Sequence, residues 1–200
     1  MEVNVLPRQG LTRQVLIQAA LHLIEERGYA SFSMGELAKY LHVRPASLYN
    51  HIENLDTLYT EVGLAAISQM VGAEKEAIEG KSGDEALRAL ADAYYTFATT
   101  HYELYMVIMK LPHSQNHVLE IAAGQIIEPI FHVFADFALD DTQKIHWQRI
   151  LRSMMHGFIS HEQCGAFSRF PICRSTTYQM AIQCILDGLH AAGKEHDENR

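Results

Sequence analysis

The tightest constraint in this chain is the crowding of helix-end signals between Phe32 and Ile52, which leaves room for two short helices joined by three residues. Ser33 followed by Glu36 is a capping box, with Phe32 and Leu37 placed to clamp the incoming chain as a hydrophobic staple. The spacing predicts a helix from about Met34, with Leu37, Ala38 and Leu41 as its inward stripe. Ala38 is small enough to let a following helix cross close by. The connection is only His42-Val43-Arg44. Pro45 then suits the first turn of a new helix, where its missing N–H has no partner to lose, and it forces Arg44 into an extended conformation.

A longer helix precedes the pair. Its apolar residues Val15, Leu16, Ala19, Ala20, Leu23 and Ile24 recur four apart on one face, Thr12 stands at its cap, and Gly28 stops it. In the last of the three helices, about Pro45 to His51, Leu48 and Ile52 turn inward. That leaves Arg44, Ala46, Ser47, Tyr49, Asn50 and His51 wholly or partly outward. Small residues, hydroxyls and an amide on a short helix suit entry into a DNA groove: Ser and Tyr reach phosphates, and Asn bridges an adenine edge. Periodicity alone leaves open an ordinary helical hairpin inside an all-α protein.

Residues 12 to 59 resemble the DNA-binding domain of the tetracycline-repressor (TetR) family. The match runs through the Thr-Arg start, Ala-Ala-Leu of the first helix, Gly28-Tyr29, Phe32-Ser33-Met34, Leu37-Ala38, Val43 and Ser47-Leu48-Tyr49-Asn50-His51. The resemblance implies that Ser33, Arg44, Ala46, Ser47, Tyr49, Asn50 and His51 face DNA; Thr12, Met34 and Pro45, at the helix starts, complete the candidate set. Two positions depart from the family. His42 stands where glycine is frequent in the turn, and it tolerates a left-handed conformation less well than glycine does. Leu55 stands where a phosphate-binding lysine is common, so one backbone contact is expected to be missing.

The chain carries a formal net charge of −8, which looks wrong for a DNA binder until it is divided. Up to Glu53 five Lys or Arg balance five Asp or Glu, so the acid lies beyond. Arg8, Arg13, Lys39 and Arg44 are left to gather positive charge near DNA, a small patch with a modest salt slope. No stretch is apolar enough to span a bilayer and the start lacks a secretory pattern, so a cytoplasmic protein is expected. Cys164, Cys173 and Cys184 form no CxxC pair and read as buried small apolar residues.

The expected organisation is all-α: a DNA-binding domain over residues 1–53 and a helical ligand-binding and dimerisation domain over 54–200, about nine helices in all. The body helices are read from Asn54 to about Ala77, from a second capping box at Ser82 and Glu85 to Thr100, around Tyr102–Leu111, Gln115–Ala138, Asp141–Cys164 and Ser175–Ala192. Pro129 predicts a kink in the fourth of these, because its ring meets the Gln125 carbonyl. The family resemblance favours a cavity there over a bend that merely follows the domain. Its candidate lining is Tyr94, Phe97, Tyr105, Met106, Met109, Ile127, Phe131, Met155, His156 and Phe158, a methionine- and aromatic-rich surface suited to apolar guests, although each residue taken singly also reads as plain core. Trp147 to Glu162 further resembles a C-terminal subgroup named for a Trp-His-Gly signature, with Met155 in place of the Trp.

Ile150, Leu151, Met154, Phe158 and Ile159 repeat along one late helix, and Met180, Ala181, Cys184, Ile185 and Leu189 along the last, more apolar surface than one partner face needs. The family pairs these helices across a two-fold axis. That implies a homodimeric repressor on a palindromic operator, its readers about 34 to 36 Å apart, released by a small, largely apolar molecule. Two other classes stay in view. His113 and His117 have helical metal-ligand spacing but lack a recognisable third ligand. His156, Glu162 and Cys164 invite acid–base or thiol chemistry, yet no nucleophile, base and orienter fall at a familiar spacing. The reading is a regulator, with no cofactor, no metal and no turnover.

Overall fold

The computed structural model describes residues 10–111 and 117–198. Their regular structure is helical throughout: α1 (Arg13–Arg27), α2 (Met34–Tyr40), α3 (Pro45–Leu48), α4 (Leu55–Ile78), α5 (Gly83–Thr100), α6 (Tyr102–Lys110), α7 (His117–Gln125), α8 (Glu128–Phe134), α9 (Asp141–Gln163) and α10 (Arg174–Glu198), with a 3-10 turn at Tyr29–Ser31. α7 and α8 are the arms of the helix in which Pro129 predicts a kink; taken as one bent element, they make nine helices among the described residues. The bend is a full break. The Ile127 N–H donates to the Gly124 carbonyl at 3.2 Å, and Pro129 enters the first turn of α8, where no donor is missed.

Two compact units emerge. One holds the described residues up to Ala66 together with those from His101 to Leu119; the other holds Ile67–Thr100 and those from Glu120 onward. α4 is common to both.

In the first unit the end signals act much as their chemistry dictates. Thr12 Oγ1 accepts the Val15 N–H at 3.2 Å, and Gly28, at φ 83°, closes α1 by donating its N–H to the Ile24 carbonyl. Ser33 Oγ accepts the Glu36 N–H at 3.2 Å, which is half of the expected box. The Glu36 carboxylate does not reach back; it pairs with Arg27 at 2.7 Å, a charge-assisted bond that outcompetes a neutral N–H donor. Leu16, Ala20, Leu23 and Ile24 of α1 are buried, as are Leu37 and Ala38 of α2 and Leu48 of α3, and α2 packs on both of the other helices. A fifty-residue reader is marginal by itself, and the added support comes from α6. It packs on α1 and on the 3-10 turn. Glu103 Oε2 accepts the Tyr29 N–H at 2.8 Å, and Leu111 lies so close to Gly63 that a Cβ there would come within 2.7 Å of a leucine methyl.

In the second unit α5 packs on α8, α9 and α10 through Leu87, Leu90, Ala91, Tyr94, Phe97 and Ala98. α5 begins one residue after Ser82, and the Gly83 N–H at that start donates to Asp136 at 2.8 Å. A complete capping box does occur at α9, where Asp140 and Gln143 each satisfy the other's backbone N–H. The Tyr178 hydroxyl of α10 donates to the Ala91 carbonyl at 2.8 Å. Gly188 of α10 lies beneath the Trp147 ring of α9.

Candidate DNA-reading face and helical body

α3 is short because Pro45 starts it and the chain turns away after Leu48. The turn is closed by the His51 and Ile52 N–H groups, both donating to the Leu48 carbonyl. Leu48 and Ile52 are buried, which fixes the opposite side outward. Arg44, Pro45, Ala46, Tyr49 and Asn50 are exposed, Tyr49 to 53 %, while Ser47 and His51 are half-buried. Thr12 is exposed and Ser33 half-buried, each with its side-chain oxygen engaged in capping. Met34 departs from the expectation: it is 8 % exposed and faces the core, because the first turn of α2 lies on the α1 side. Its neighbours, not its thioether, are presented to solvent.

The connection between α2 and α3 depends on His42, which adopts φ 55°, the only left-handed non-glycine among the described residues. Val43 then donates to the Ala38 carbonyl at 3.0 Å, so the turn is tight despite the missing glycine.

The charges sort into spent and free. Arg13 is paired with Glu61 at 2.6 Å and Arg27 with Glu36, whereas Lys39 and Arg44 form no ion pair among the described residues; Arg8 lies outside them. A cleft of about 310 Å³ opens beside the reader, lined by Arg13, Tyr49, Asn50, His51, Glu53 and Thr57. Asn54 supports it by accepting the Thr57 N–H at 2.8 Å. Behind the face, the Tyr59 ring meets Tyr29 at a tilt and Phe32 edge-on, and its hydroxyl donates to the Phe32 carbonyl; burial pushes its hydroxyl pKa up.

The candidate lining residues fall into two groups. Tyr105, Met106 and Met109 belong to α6 and the first unit. Tyr94, Phe97, Ile127, Phe131, Met155, His156 and Phe158 belong to the second, where Tyr94, Phe97, Met155 and Phe158 are buried and the rest half-buried. Phe158 is held in an aromatic cluster with Tyr95, Tyr178 and Phe167, at centroid distances of 6.3, 5.1 and 5.0 Å. Those three partners escaped the sequence reading. Tyr95 donates to Glu162 at 2.6 Å, and burial with that bond pushes its pKa up to about 12. A second cleft, of about 380 Å³, lies on this unit's surface between the end of α4 and the start of α8, with Ile78 and Pro129 as its apolar walls and Lys75 paired across it to Glu128.

Two features depart from expectation, and a third was not anticipated. Ile159, Ile185 and Leu189, offered to a partner chain, are buried inside the second unit, because α9 and α10 pack on α5 with those faces. Outward they present Ile150, Met180 and Cys184, with Met154 and Ala181 half-exposed. All three cysteines are exposed, and Cys173, at the start of α10, has its pKa lowered to about 7 by hydrogen bonds from Ser175 and Thr176. Finally, Glu74 of α4 is buried; desolvation raises its pKa from the usual 4.5 to about 8 against the opposing pull of Arg152. Among the described residues no three His, Cys, Asp or Glu side chains could hold a metal; His113 and the His117 side chain lie outside them.

A short capped helix, a tight turn and an outward-facing second helix joined to an all-helical body define a helix-turn-helix transcriptional regulator. Comparison with known proteins agrees and is more specific. Residues 16–62 match the model for bacterial regulatory proteins of the tetR family, and residues 87–185 that for the tetracyclin repressor-like C-terminal domain. The chain is 31 % identical to YobS, an uncharacterized HTH-type transcriptional regulator of Bacillus subtilis (strain 168), over 92 % of its own length and 95 % of that protein's. It therefore belongs to the TetR family and is a DNA-binding transcriptional regulator, not an enzyme. Among solved structures the fold matches a protein of unknown function from Rhodococcus sp. RHA1, with TM-score 0.78, 19 % identity and coverage of 94 % and 100 % of the two chains. It also matches a point variant of TetR from Acinetobacter baumannii AYE in complex with minocycline, with TM-score 0.66, 16 % identity and coverage of 90 % and 94 %. No helix among the described residues is long and apolar enough to cross a membrane.

Proposed function

We propose that the chain is a repressor that binds a palindromic operator as a homodimer and leaves it when a small, largely apolar molecule enters the second unit. The observation that carries the DNA part is α3 and the turn after it: Arg44, with no ion pair among the described residues, beside exposed Ala46, Tyr49 and Asn50, where the opposite side is buried. Asn50 is the candidate base reader, Arg44 and Lys39 supply charge to the phosphates, and Tyr49 and Thr57 border a polar cleft of a size for a backbone phosphate. Leu55, half-buried at the start of α4, brings no charge to that cleft.

The dimer reading is supported by outward Ile150 and Met180, 46 % and 64 % exposed, flanked by Ser153, Gly157, Cys184 and Ala191, small residues that let helices of a second copy approach closely. The effector reading is supported by the methionines and aromatic rings of the body, and by a neighbour in fold that holds minocycline. Met155-His156-Gly157 stands where the Trp-His-Gly subgroup carries its signature, with Met155 filling a buried position. α4, shared by both units, is the candidate transmitter. The effector must bind the released form more tightly than the DNA-bound one, and by linkage operator DNA must weaken effector binding by the same factor.

The test is selection of an operator from a random duplex pool, followed by Asn50→Ala and Tyr49→Ala. Each is expected to weaken that duplex by about 1–3 kcal/mol while leaving the helical circular dichroism unchanged. Full affinity in both variants would remove α3 from the groove.

A further inference from the structure

Arg13 stands where helix chemistry does not favour it. It is the first residue of α1, whose first turn carries no acid, and a cation there lies at the positive end of the helix dipole. Its Nη2 donates to Glu61 Oε1 of α4 at 2.6 Å, and both residues belong to the first unit. The pair is open to water, the arginine side chain 54 % exposed and the glutamate 26 %. Exposed pairs of this kind contribute about 0–1 kcal/mol, too little to account for the arginine as a structural clamp.

The same arginine is one wall of the cleft of about 310 Å³ beside α3, together with Tyr49, Asn50, His51, Ile52, Glu53 and Thr57. Both donors of Thr57, its N–H and its hydroxyl, go to Asn54 Oδ1, at 2.8 and 3.1 Å. Glu53 is exposed on the rim, and its charge opposes an entering anion. Among the described residues that line the cleft, Arg13 is the one lysine or arginine. A phosphate resting beside Tyr49 and Asn50 therefore finds a permanent positive charge only there. While Glu61 holds the guanidinium, that charge is largely neutralised, and with Glu53 at the rim the cleft offers a phosphate no net attraction.

We propose that Arg13 is an anchor for the DNA backbone held in reserve by Glu61. In the free protein it pairs with α4; on DNA its guanidinium turns, by side-chain rotation, to a phosphate in the cleft, and Glu61 is left to water. The inference rests on the reading of α3 as the DNA-facing helix, and adds to it a phosphate ligand and an internal competitor. Phosphate oxygens suit the guanidinium fork at least as well as a single carboxylate oxygen does, and the partner released is exposed, so the exchange loses little. That small loss still recurs with every binding event, so Glu61 weakens DNA binding by about the strength of the pair. Glu61 belongs to α4, so the helix proposed as transmitter also carries the competitor.

The experiment is fluorescence anisotropy of the full-length protein on the selected operator and on a random duplex of the same length, across a series of salt concentrations. Arg13→Gln is expected to weaken both duplexes by the same factor and to reduce the slope of log affinity against log salt by about 1, since a phosphate contact is lost and no base contact is. Arg13→Lys keeps the charge and is expected to retain the slope. Glu61→Gln is expected to tighten both duplexes by about 2- to 5-fold and to gain nothing in the Arg13→Gln background. Circular dichroism checks that each variant folds. A wild-type slope in Arg13→Gln overturns the inference by leaving the arginine off the DNA, and a loss confined to the operator overturns it by assigning the arginine to a base. A Glu61→Gln gain that persists without Arg13 makes Glu61 a general repulsive charge, and no gain in the wild-type background removes it as a competitor whether or not the Arg13 variants fold; either result overturns the exchange. Each of these failures leaves the DNA reading intact where Asn50→Ala still weakens the operator, whereas a chain that binds no duplex overturns both.

Discussion

The buried acid makes a quantitative prediction about stability. In the folded chain Glu74 keeps its proton up to about pH 8, whereas a carboxyl in the unfolded chain loses it near the usual 4.5. Between those limits the folded state binds one more proton than the unfolded state, so stability falls as pH rises; below the window the contribution is fully present, and above it is lost. One proton corresponds to roughly 1.4 kcal/mol per pH unit, so between pH 5 and pH 8 the position contributes a fall on the order of 4 kcal/mol. Glu74→Gln removes the titration while conserving shape. Urea unfolding followed by circular dichroism at pH 5, 6, 7 and 8, at one fixed protein concentration, supplies both profiles, and their difference cancels the histidines and surface carboxylates common to both proteins. The variant is expected to match the wild type near pH 5 and to exceed it by several kcal/mol at pH 8. Parallel profiles would show that Glu74 titrates as it would in water, and a wild type that gains on the variant with rising pH would reverse the sign of the burial argument.

Three further outcomes are expected. Gly188→Ala places a Cβ 2.3 Å from the Trp147 Cη2, and because an indole cannot fold out of the way as a lysine would, the variant should lose about 1–3 kcal/mol in urea unfolding, with a larger loss for Gly188→Val. At His42, held at φ 55°, substitution by Ala should cost about 0.5–1 kcal/mol and substitution by Gly less than that, a ranking that thermal melts of the two variants check. Cys173 should be alkylated by iodoacetamide at pH 7 before Cys164 and Cys184, since all three are exposed but hydrogen bonds at the start of α10 stabilise its thiolate; mass spectrometry of a time course reads the order.

Helix ends were the most legible part of the chain, because each end is decided by a few adjacent atoms. Thr12, Gly28, Ser33 and Pro45 act within one turn of themselves, and α1, α2 and α3 begin at or next to the residues their chemistry marks. The same locality explains what was missed. Type and spacing assign Glu36 to the Ser33 backbone, but Arg27 lies nine residues away in sequence and 2.7 Å away in space, and a charged donor wins. The Asp140 and Gln143 box escaped the reading although both residues are the right type at the right spacing. Pro129 correctly marked a discontinuity, yet its effect on the chain direction depended on whether the freed carbonyls found a turn, and the Gly124 to Ile127 bond supplied one.

The sites were legible in proportion to how one-sided they are. α3 has a single neighbour layer, so naming Leu48 and Ile52 as inward fixes every other residue as outward, and only Met34, on the helix that supports it, falls on the other side. α9 and α10 are different. Each carries apolar residues on more than one face, and periodicity reports that such faces exist without saying which meets the chain's own core. Packing on α5 took Ile159, Ile185 and Leu189, leaving the more scattered Ile150, Met180 and Cys184 for any second copy. Charged residues placed at Ile150 and Cys184 are therefore the substitutions that separate the two roles. They should abolish dimers in sedimentation while the monomer stays helical, whereas the same change at Leu189 should unfold the second unit before any question of association arises. Glu74 shows the converse lesson: an acid at the inward position of an otherwise apolar stripe was visible in the sequence from its spacing to Met70, Val71 and Ile78, and a search for polar residues that break a hydrophobic period would have found it where a search for motifs did not.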